Sequence, residues 1–253
     1  MIEYRILDSV EEFEKVVDLE MEVWGTFERH TLPSSHLRAI SVNGGVSVGA
    51  YDNDRLVGFA VGFPGFRNGD VYLWSHMAGV KKSHQDQNIG FQLKQQQRLW
   101  AIENGYKEIR WTFDPIVRGN ANFNFNRLGV ISNVYHIDFY GSTNDSINTN
   151  TPSDRLEVRW LLDSPPVVNR SSGHKPDQAC PNYLILDQVG ETHPEFIENQ
   201  DVIGVYIPRR LQNPIQWRLS VREIFTTAFK NGYQAINFTS QEDGGIYHLQ
   251  KSL

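Results

Sequence analysis

The fold is organised around residues 73–113, which read LWSHMAGVKKSHQDQNIGFQLKQQQRLWAIENGYKEIRWTF. The apolar run Leu73–Val80 and the alternating run Glu108–Phe113 each predict a strand. The segment between them predicts a helix from about Ile89 to Glu103, because Asn104-Gly105 is a common helix terminator. Together these elements predict a βαβ unit.

The loop of this unit, residues 85–90, reads QDQNIG and opens directly into the predicted helix. The first N–H groups of a helix lack partners within the helix and lie at the positive end of its dipole. A turn of small residues at such a helix start can therefore bind phosphate.

This loop resembles the acetyltransferases of the GNAT superfamily. In that family a strand ending in a small apolar residue leads into an Arg/Gln-x-x-Gly-x-Gly/Ala loop, which binds the pyrophosphate of acetyl-CoA. Val80 matches the strand end, and Gln85, Asn88 and Gly90 fall on the three motif positions. Asn88 replaces a glycine, but Asn is the residue that best tolerates positive φ after glycine. Asp86 would repel a diphosphate unless its side chain points to solvent.

A second match lies in residues 120–130, which read NANFNFNRLGV. It resembles the GNAT segment in which an Asn-Ala helix carries a tyrosine four residues before a Gly-Phe pair. Gly129-Val130 fits the end of that pattern, while Phe125 stands at the tyrosine position and cannot donate a proton. The resemblance covers roughly residues 1–160, and residues 73–130 also resemble a group of bacterial predicted acetyltransferases.

The resemblance implies an α+β GNAT fold, with a central mixed sheet and a βαβ core that binds acyl-CoA. It implies an N-acetyltransferase that uses acetyl-CoA, or another acyl-CoA, to acylate the amine of a small or amino-acid-like molecule. An inactive module that binds CoA or a small molecule is the alternative. The residues expected to bind the cofactor are Met77, Ala78, Gly79, Val80, Gln85, Asp86, Gln87, Asn88, Ile89, Gly90, Asn120 and Phe125; Asn120 could instead cap the helix start.

Transfer to an amine requires a proton acceptor, and His76 is the first candidate because imidazole titrates near neutral pH. A strand histidine is also common as a hydrogen-bonded core residue. Asp114 and Glu20 are the other candidate bases; Glu20 either keeps its carboxylate in water or points into the acceptor groove. Tyr135 or Tyr140 is the candidate acid, although water could serve. The eight histidines and one cysteine show no metal-ligand spacing, so no metal is predicted.

The rest of the first part of the chain shows familiar signals. Ser9 and Glu12 form a capping-box pattern at the start of a helix. Residues 64–70 predict a loop that helps to shape the acceptor pocket, and residues 142–153 predict a flexible loop. Further strands are predicted over Glu3–Leu7, Gly45–Tyr51, Arg55–Phe63, Val134–Tyr140, Leu156–Leu162 and Tyr183–Leu186.

The chain is predicted to divide in the loop 163–182, into a GNAT acetyl-CoA-binding domain over 1–163 and a degenerate GNAT-like half over 164–253 that packs on it. Residues 231–233, Asn-Gly-Tyr, repeat residues 104–106, and flanking apolar residues repeat at the same offset. The second half is therefore interpreted as a partial copy of the strand–helix–strand unit. Trp217 replaces Gly90 in this copy and Pro214 obstructs its loop, so only the first unit should bind the cofactor.

Composition excludes several classes of function. The chain has 253 residues, 40% of them hydrophobic, which is enough for an ordinary core. A net charge of −6 without a Lys/Arg cluster argues against nucleic-acid binding. The single cysteine, Cys180, permits no internal disulfide, and neither a leader pattern nor a membrane-length apolar run is evident. A cytoplasmic protein is expected, and a homodimer stays open.

Overall fold

The computed structural model describes residues 1–25, 27, 30–141, 152–176 and 179–252. The chain forms two compact units, Met1–Trp111 and Thr112–Leu253. Among the described residues, none of the helices has the length and apolar content that a membrane crossing needs.

Among its described residues, the first unit is a mixed sheet with three α-helices and a short 3-10 helix over Lys82–His84. Its strand order is β1-β2-β3-β4-β5; the pairs are antiparallel except for the parallel pair β4–β5. The predicted βαβ unit is thus confirmed, and its helix and second strand have the predicted bounds. The elements are β1 (Ile2–Ile6), α1 (Val10–Trp24), α2 (Ser34–Val42), β2 (Val46–Asp52), β3 (Arg55–Arg67), β4 (Asp70–Val80), α3 (Ile89–Glu103) and β5 (Glu108–Phe113), the last of which runs across the unit boundary.

Helices α1 and α3 cover opposite faces of this sheet. The capping box of Ser9 and Glu12 starts α1, as predicted. Along β3, Phe59 and Val61 join the apolar core that α1 and α2 complete. Gly58 and Gly62 alternate with them and lie under α3, where a Cβ added to Gly62 would come within 3.0 Å of Gln97 Nε2. The two glycines therefore let α3 approach the sheet closely.

The predicted loop over residues 64–70 is wrong, because β3 continues to Arg67 and β4 begins at Asp70. The true turn is Asn68-Gly69, and both residues have positive φ, 54° and 88°. Pro64 is tolerated within β3 because β2 ends at the pair Val46↔Gly62, so that Pro64 needs no donor on that side. The acceptor pocket cannot be shaped by a long loop at this place.

A β-bulge interrupts the β3–β4 ladder at His76. Val61 pairs with Met77 and Gly62 pairs with Ser75, which leaves His76 without an opposite residue. Because of the bulge, side chains before and after His76 that would otherwise share one face of the sheet lie on opposite faces. Ser75 contacts α3, while Met77 packs against the core under α1.

The parallel ladder between β4 and β5 is short. Among the described residues it consists of Leu73↔Ile109 and Trp74↔Arg110, although β4 continues to Val80. Within the part of the chain that the structure describes, residues Ser75–Val80, apart from the bulged His76, therefore pair with β3 on one side only. We call their other side the β4 edge, and the space between this edge and Trp111 of β5 the donor cleft.

The strands of the second unit follow the order β7-β6-β10-β11-β9-β8. Residues Asn122–Leu128 form a π-helical segment where the Asn-rich helix was predicted. The elements are α4 (Arg118–Ala121), β6 (Ile131–His136), β7 (Arg155–Leu161), α5 (Pro165–Ser171), β8 (Leu184–Leu186), α6 (Glu195–Asn199), β9 (Val202–Pro208), α7 (Pro214–Lys230), β10 (Tyr233–Ser240) and β11 (Gly244–Lys251).

Several bounds in this unit differ from the prediction. Strand β6 begins at Ile131, three positions before the predicted start at Val134. Helix α5 forms inside the predicted loop 163–182, because Pro165 occupies its first helical position, where a missing N–H does no harm. The predicted flexible loop 142–153 lies outside the described residues up to residue 151.

The predicted copy in the second half agrees in element order but not in pairing. Strand β9, helix α7 and strand β10 follow one another as expected, yet β11 lies between the two strands and is antiparallel to both. Strand β10 also pairs with β6, through Ala235↔Ser132. One sheet of the second unit therefore contains strands from both sides of residue 163, and the predicted domain boundary there stays a prediction.

Candidate functional site

The loop between β4 and α3 has the backbone geometry of an anion cradle. Asp86 and Asn88 both have positive φ, 62° and 63°. Asn88 is the N-cap of α3 in the left-handed conformation, and its side chain makes no capping hydrogen bond. The expectation that Asn88 tolerates positive φ is thus confirmed. The first-turn N–H groups of α3 carry the positive end of its dipole.

Side chains of the loop bind the loop itself. The Gln85 amide donates to the carbonyl of Val80 at 3.2 Å, and the Gln87 amide donates to the carbonyl of Ser83 at 3.4 Å. Asp86 is exposed to solvent, which is the arrangement that a neighbouring diphosphate requires.

Gly90, in the first turn of α3, faces open space. A Cβ added at Gly90 would meet only Val80 Cγ2, at 3.9 Å, among the described atoms. Packing within the protein does not demand glycine there. The missing side chain instead leaves the surface over Ile89 and Gly90 accessible to a ligand that approaches the helix start.

The β4 edge supplies backbone polar groups next to this loop. Residues Met77, Ala78, Gly79 and Val80 pair with β3, from Val61↔Met77 to Gly58↔Val80. Those backbone groups of the edge that point away from β3 can pair with an extended ligand, as a sheet edge pairs with an added strand.

His76 lies on the bulge at the head of this edge. His76 is exposed as a residue, and the centroid of its ring lies 5.5 Å from that of Phe63. Partial desolvation lowers the pKa of His76 below its usual 6.5. A lowered pKa favours the neutral imidazole, which is the form that can accept a proton.

Glu20 has neither of the two roles considered for it. Its side chain is buried, with 3% of the residue exposed, and Oε2 accepts a hydrogen bond from the Leu32 N–H at 3.2 Å. Burial raises the pKa of this carboxyl, and the hydrogen bond opposes the shift. The carboxylate thus holds the segment before α2 instead of standing in water or in a groove.

Lys94 was not anticipated as a site residue, and it is buried under the sheet. Its ammonium donates to Ser75 Oγ at 2.8 Å and to Gln97 Oε1 at 2.9 Å, and it lies 3.9 Å from the centroid of the Trp111 ring. Burial lowers the pKa of Lys94 to about 7. Helical spacing could have found it, since Lys94, Gln97 and Ala101 occupy one buried stripe of α3.

Asp114 belongs to the second unit, where it is an ion-pair partner. Arg218 donates to both of its carboxylate oxygens, at 3.1 and 2.7 Å, and the Ile116 N–H donates to Oδ1 at 3.1 Å. The structure thus shows Asp114 as the partner of a buried guanidinium, and its expected role as a base stays a prediction.

Tyr135 also belongs to the second unit and is engaged in a network. Its hydroxyl donates to Asp154 at 2.9 Å, and Arg222 donates to both oxygens of the same carboxylate, at 2.8 Å each. Burial raises the pKa of Tyr135, and the charge of Asp154 raises it further. These contacts describe a structural hydroxyl, so the expected role as general acid stays a prediction.

The two remaining predicted residues differ in accessibility. Asn120 is exposed on α4. Phe125 is completely buried in the π-helical segment, with ring centroids 6.4 Å from Phe113 and 5.6 Å from Tyr247. The structure gives Phe125 a packing role in place of the expected contact with the cofactor.

One cluster of the second unit has metal-ligand side chains. Asp187, Glu191 and His193 have ligand atoms within 4.8 Å of one another. Asp187 Oδ1 accepts the N–H groups of Val189 and Glu191, and Asp187 Oδ2 lies 3.2 Å from His193 Nε2. These hydrogen bonds account for the cluster as a turn that holds itself together.

The mixed sheet, its βαβ unit and the helix start beside an open strand edge together define a GNAT-like fold, as predicted. Residues 13–125 match the model of the Acetyltransferase (GNAT) family. These residues are thus similar to the acetyltransferase domains of the GNAT family.

Solved structures agree with this assignment at the level of the fold. An acetyltransferase of the GNAT family from Streptococcus pneumoniae has a TM-score of 0.52 at 13% identity, over 64% of this chain and 99% of that chain. An N-acetyltransferase from Staphylococcus aureus Mu50 has a TM-score of 0.51 at 18% identity, over 65% and 99%. The ribosomal-protein-S18-alanine N-acetyltransferase from Escherichia coli has a TM-score of 0.51 at 11% identity, over 65% and 96%. No curated protein matches the chain in sequence.

Proposed function

We propose that this protein is an acyl-CoA-dependent N-acyltransferase, which transfers an acetyl group from acetyl-CoA to the amine of a small or amino-acid-like acceptor in a ternary complex. One observation carries the proposal. In a GNAT-family domain, the start of α3 has no side-chain capping hydrogen bond, and the surface at Gly90 is open. The loop that precedes this helix start contains two residues in the left-handed conformation.

The residues present fit an acyl-CoA. The N–H groups of Ile89 and Gly90, with the left-handed Asn88, would hold the pyrophosphate at the positive end of the helix dipole. The β4 edge would pair with the amide groups of the pantetheine arm. Acetyl-CoA itself supplies the acetyl thioester.

The chain's own groups then perform three tasks at the head of the β4 edge. Backbone N–H groups at the bulge polarise the acyl carbonyl. The binding site aligns the acceptor amine with that carbonyl. His76 accepts a proton from the attacking amine, directly or through one water, while water protonates the departing thiolate.

The test is to measure thiol release from acetyl-CoA with a panel of amines, and to identify acetylated products by mass spectrometry. The proposal expects release that depends on one class of amine. Binding of acetyl-CoA without turnover on any amine would instead support an inactive CoA-binding module. This second function is favoured by one observation, namely that Phe125 replaces the expected tyrosine and is fully buried.

A further inference from the structure

Lys94 lies where the two strands of the βαβ unit stop pairing. Trp74 and Arg110 form the last pair of the β4–β5 ladder. Ser75 and Trp111 are the next residues of the two strands, and the Lys94 ammonium contacts both. One side chain of α3 thus joins the two walls of the donor cleft at its head.

The same contacts bear on the bulge. Ser75, which accepts the hydrogen bond from Lys94 at 2.8 Å, directly precedes His76. A displacement of Ser75 would therefore move the backbone groups that begin the β4 edge.

Stability alone does not account for this polar cluster. Lys94 and Gln97 occupy the buried face of α3 with Ile89 and Leu93, where apolar residues of similar volume would avoid the desolvation of an ammonium. Gln97 Nε2 has no hydrogen-bond partner among the described residues, although Gln97 is fully buried. Burial also lowers the pKa of Lys94 to about 7, which means that the surroundings disfavour the charged form of the side chain. Strongly shifted pKa values of this kind are common at functional sites.

We propose that Lys94 is a positioning residue for the acyl end of the donor. It fixes the spacing of Ser75 and Trp111 at the head of the donor cleft, where a donor held at the β4–α3 loop and extended along the β4 edge places its acyl group. This inference rests on the proposed function, since it requires that the cleft binds an acyl-CoA.

The test compares two ligands by isothermal titration. Acetyl-CoA reaches the head of the cleft, whereas 3′-phospho-ADP contains only the nucleotide end of the donor. For the Lys94→Met variant we expect the Kd of acetyl-CoA to rise by at least about tenfold, because the hydrogen bond that holds Ser75 at the head of the cleft is lost. The Kd of 3′-phospho-ADP should stay the same.

Two further variants separate positioning from loss of structure. Ser75→Ala removes the hydrogen-bond acceptor on β4 and should raise the Kd of acetyl-CoA in the same way. Its effect should not add to that of Lys94→Met in the double variant, because both remove one hydrogen bond. Lys107→Met, at an exposed position before β5, is the matched control and should bind both ligands as the wild type does.

The inference would be overturned if Lys94→Met and Ser75→Ala weakened the binding of both ligands equally, as a general structural defect would. It would also be overturned if the two substitutions left the binding of both ligands unchanged. If Lys94→Met fails to fold, the comparison of the two ligands in Ser75→Ala decides. Failure of the wild type to bind either ligand would be a different result, which overturns the proposed function and the inference with it.

Discussion

At the scale of residues, pairing and burial decide which polar groups are available for chemistry. The sequence placed His76 on β4, but a bulge depends on the register with β3 and is not visible in one strand. The two candidate bases differ in burial. Glu20 is buried and accepts a hydrogen bond from a backbone N–H, whereas His76 is exposed. The burial of Lys94 was not predicted, since a lysine in a glutamine-rich helix is ordinarily solvated.

Replacement of His76 tests its role as proton acceptor. His76→Ala should lower kcat by about 10²–10⁴-fold, the usual contribution of a general base, and leave the affinity for acetyl-CoA unchanged. Because desolvation lowers the pKa of His76 below 6.5, kcat of the wild type should fall with decreasing pH only below that value, as the imidazole becomes protonated. The pH profile of thiol release checks this, and an unaltered acid limb in His76→Ala would exclude the role.

Lys94 should make stability depend on pH. Its pKa is about 7 in the folded chain and 10.5 ordinarily, so between these values the unfolded chain holds a proton that the folded chain has lost. Stability from this group therefore rises with pH across that window, by up to about 1.4 kcal/mol per pH unit.

Urea unfolding at pH 7, 8 and 9 measures this dependence. The difference in unfolding free energy between the wild type and Lys94→Met isolates Lys94 from the other titrating groups, and it should increase with pH. Parallel curves for the two proteins would show that Lys94 keeps its ordinary pKa.

At the scale of elements, the predicted bounds of helices and strands were correct where residues close in sequence determine them. Helix α3 has its predicted bounds because its end signal, Asn104-Gly105, is local. The hairpin of β3 and β4 was missed because Pro64 suggested a loop, whereas Asn68-Gly69 is a strong turn signal. Pro64 is compatible with a strand only because β2 ends before reaching it, which is a tertiary fact.

The capping box at the start of α1 should contribute measurably to stability. Ser9 Oγ accepts the Glu12 N–H at 3.2 Å, so Ser9→Ala should lower the free energy of unfolding by about 1 kcal/mol. Ser35→Ala, at an exposed position in the first turn of α2, is the control and should change it by less than about 0.5 kcal/mol. Equal effects of the two substitutions in urea unfolding would contradict the capping assignment.

At the scale of the whole molecule, the proposed donor site lies in the first unit, and the second unit has a different construction. The family match over residues 13–125 extends beyond the first unit, which ends at Trp111. Sequence repetition correctly indicated the order β9–α7–β10. It could not indicate that β11 lies between these strands, because strand order depends on long-range pairing.

The second unit should depend on its buried carboxylate at Asp154. Burial by itself would raise the pKa of Asp154, but hydrogen bonds from Arg222, the Asp138 backbone and Tyr135 lower it. Its contribution is therefore present above the ordinary pKa of 3.8 and lost as pH falls through the lowered value. Asp154→Ala should cost about 3 kcal/mol at neutral pH, because Arg222 loses its partner. Urea unfolding measures this, and a change below about 1 kcal/mol would contradict the network.

The central claim, that the β4–α3 loop binds an acyl-CoA, is tested most directly by thermal unfolding with and without acetyl-CoA in three proteins. A ligand that binds only the folded state must raise the melting temperature. The wild type should show the rise and Gly90→Ala should keep most of it, whereas Gly90→Trp should lose it while remaining folded, since a side chain at position 90 enters open space. An equal rise in all three proteins would place the cofactor elsewhere, and no rise for the wild type at millimolar acetyl-CoA would contradict the claim.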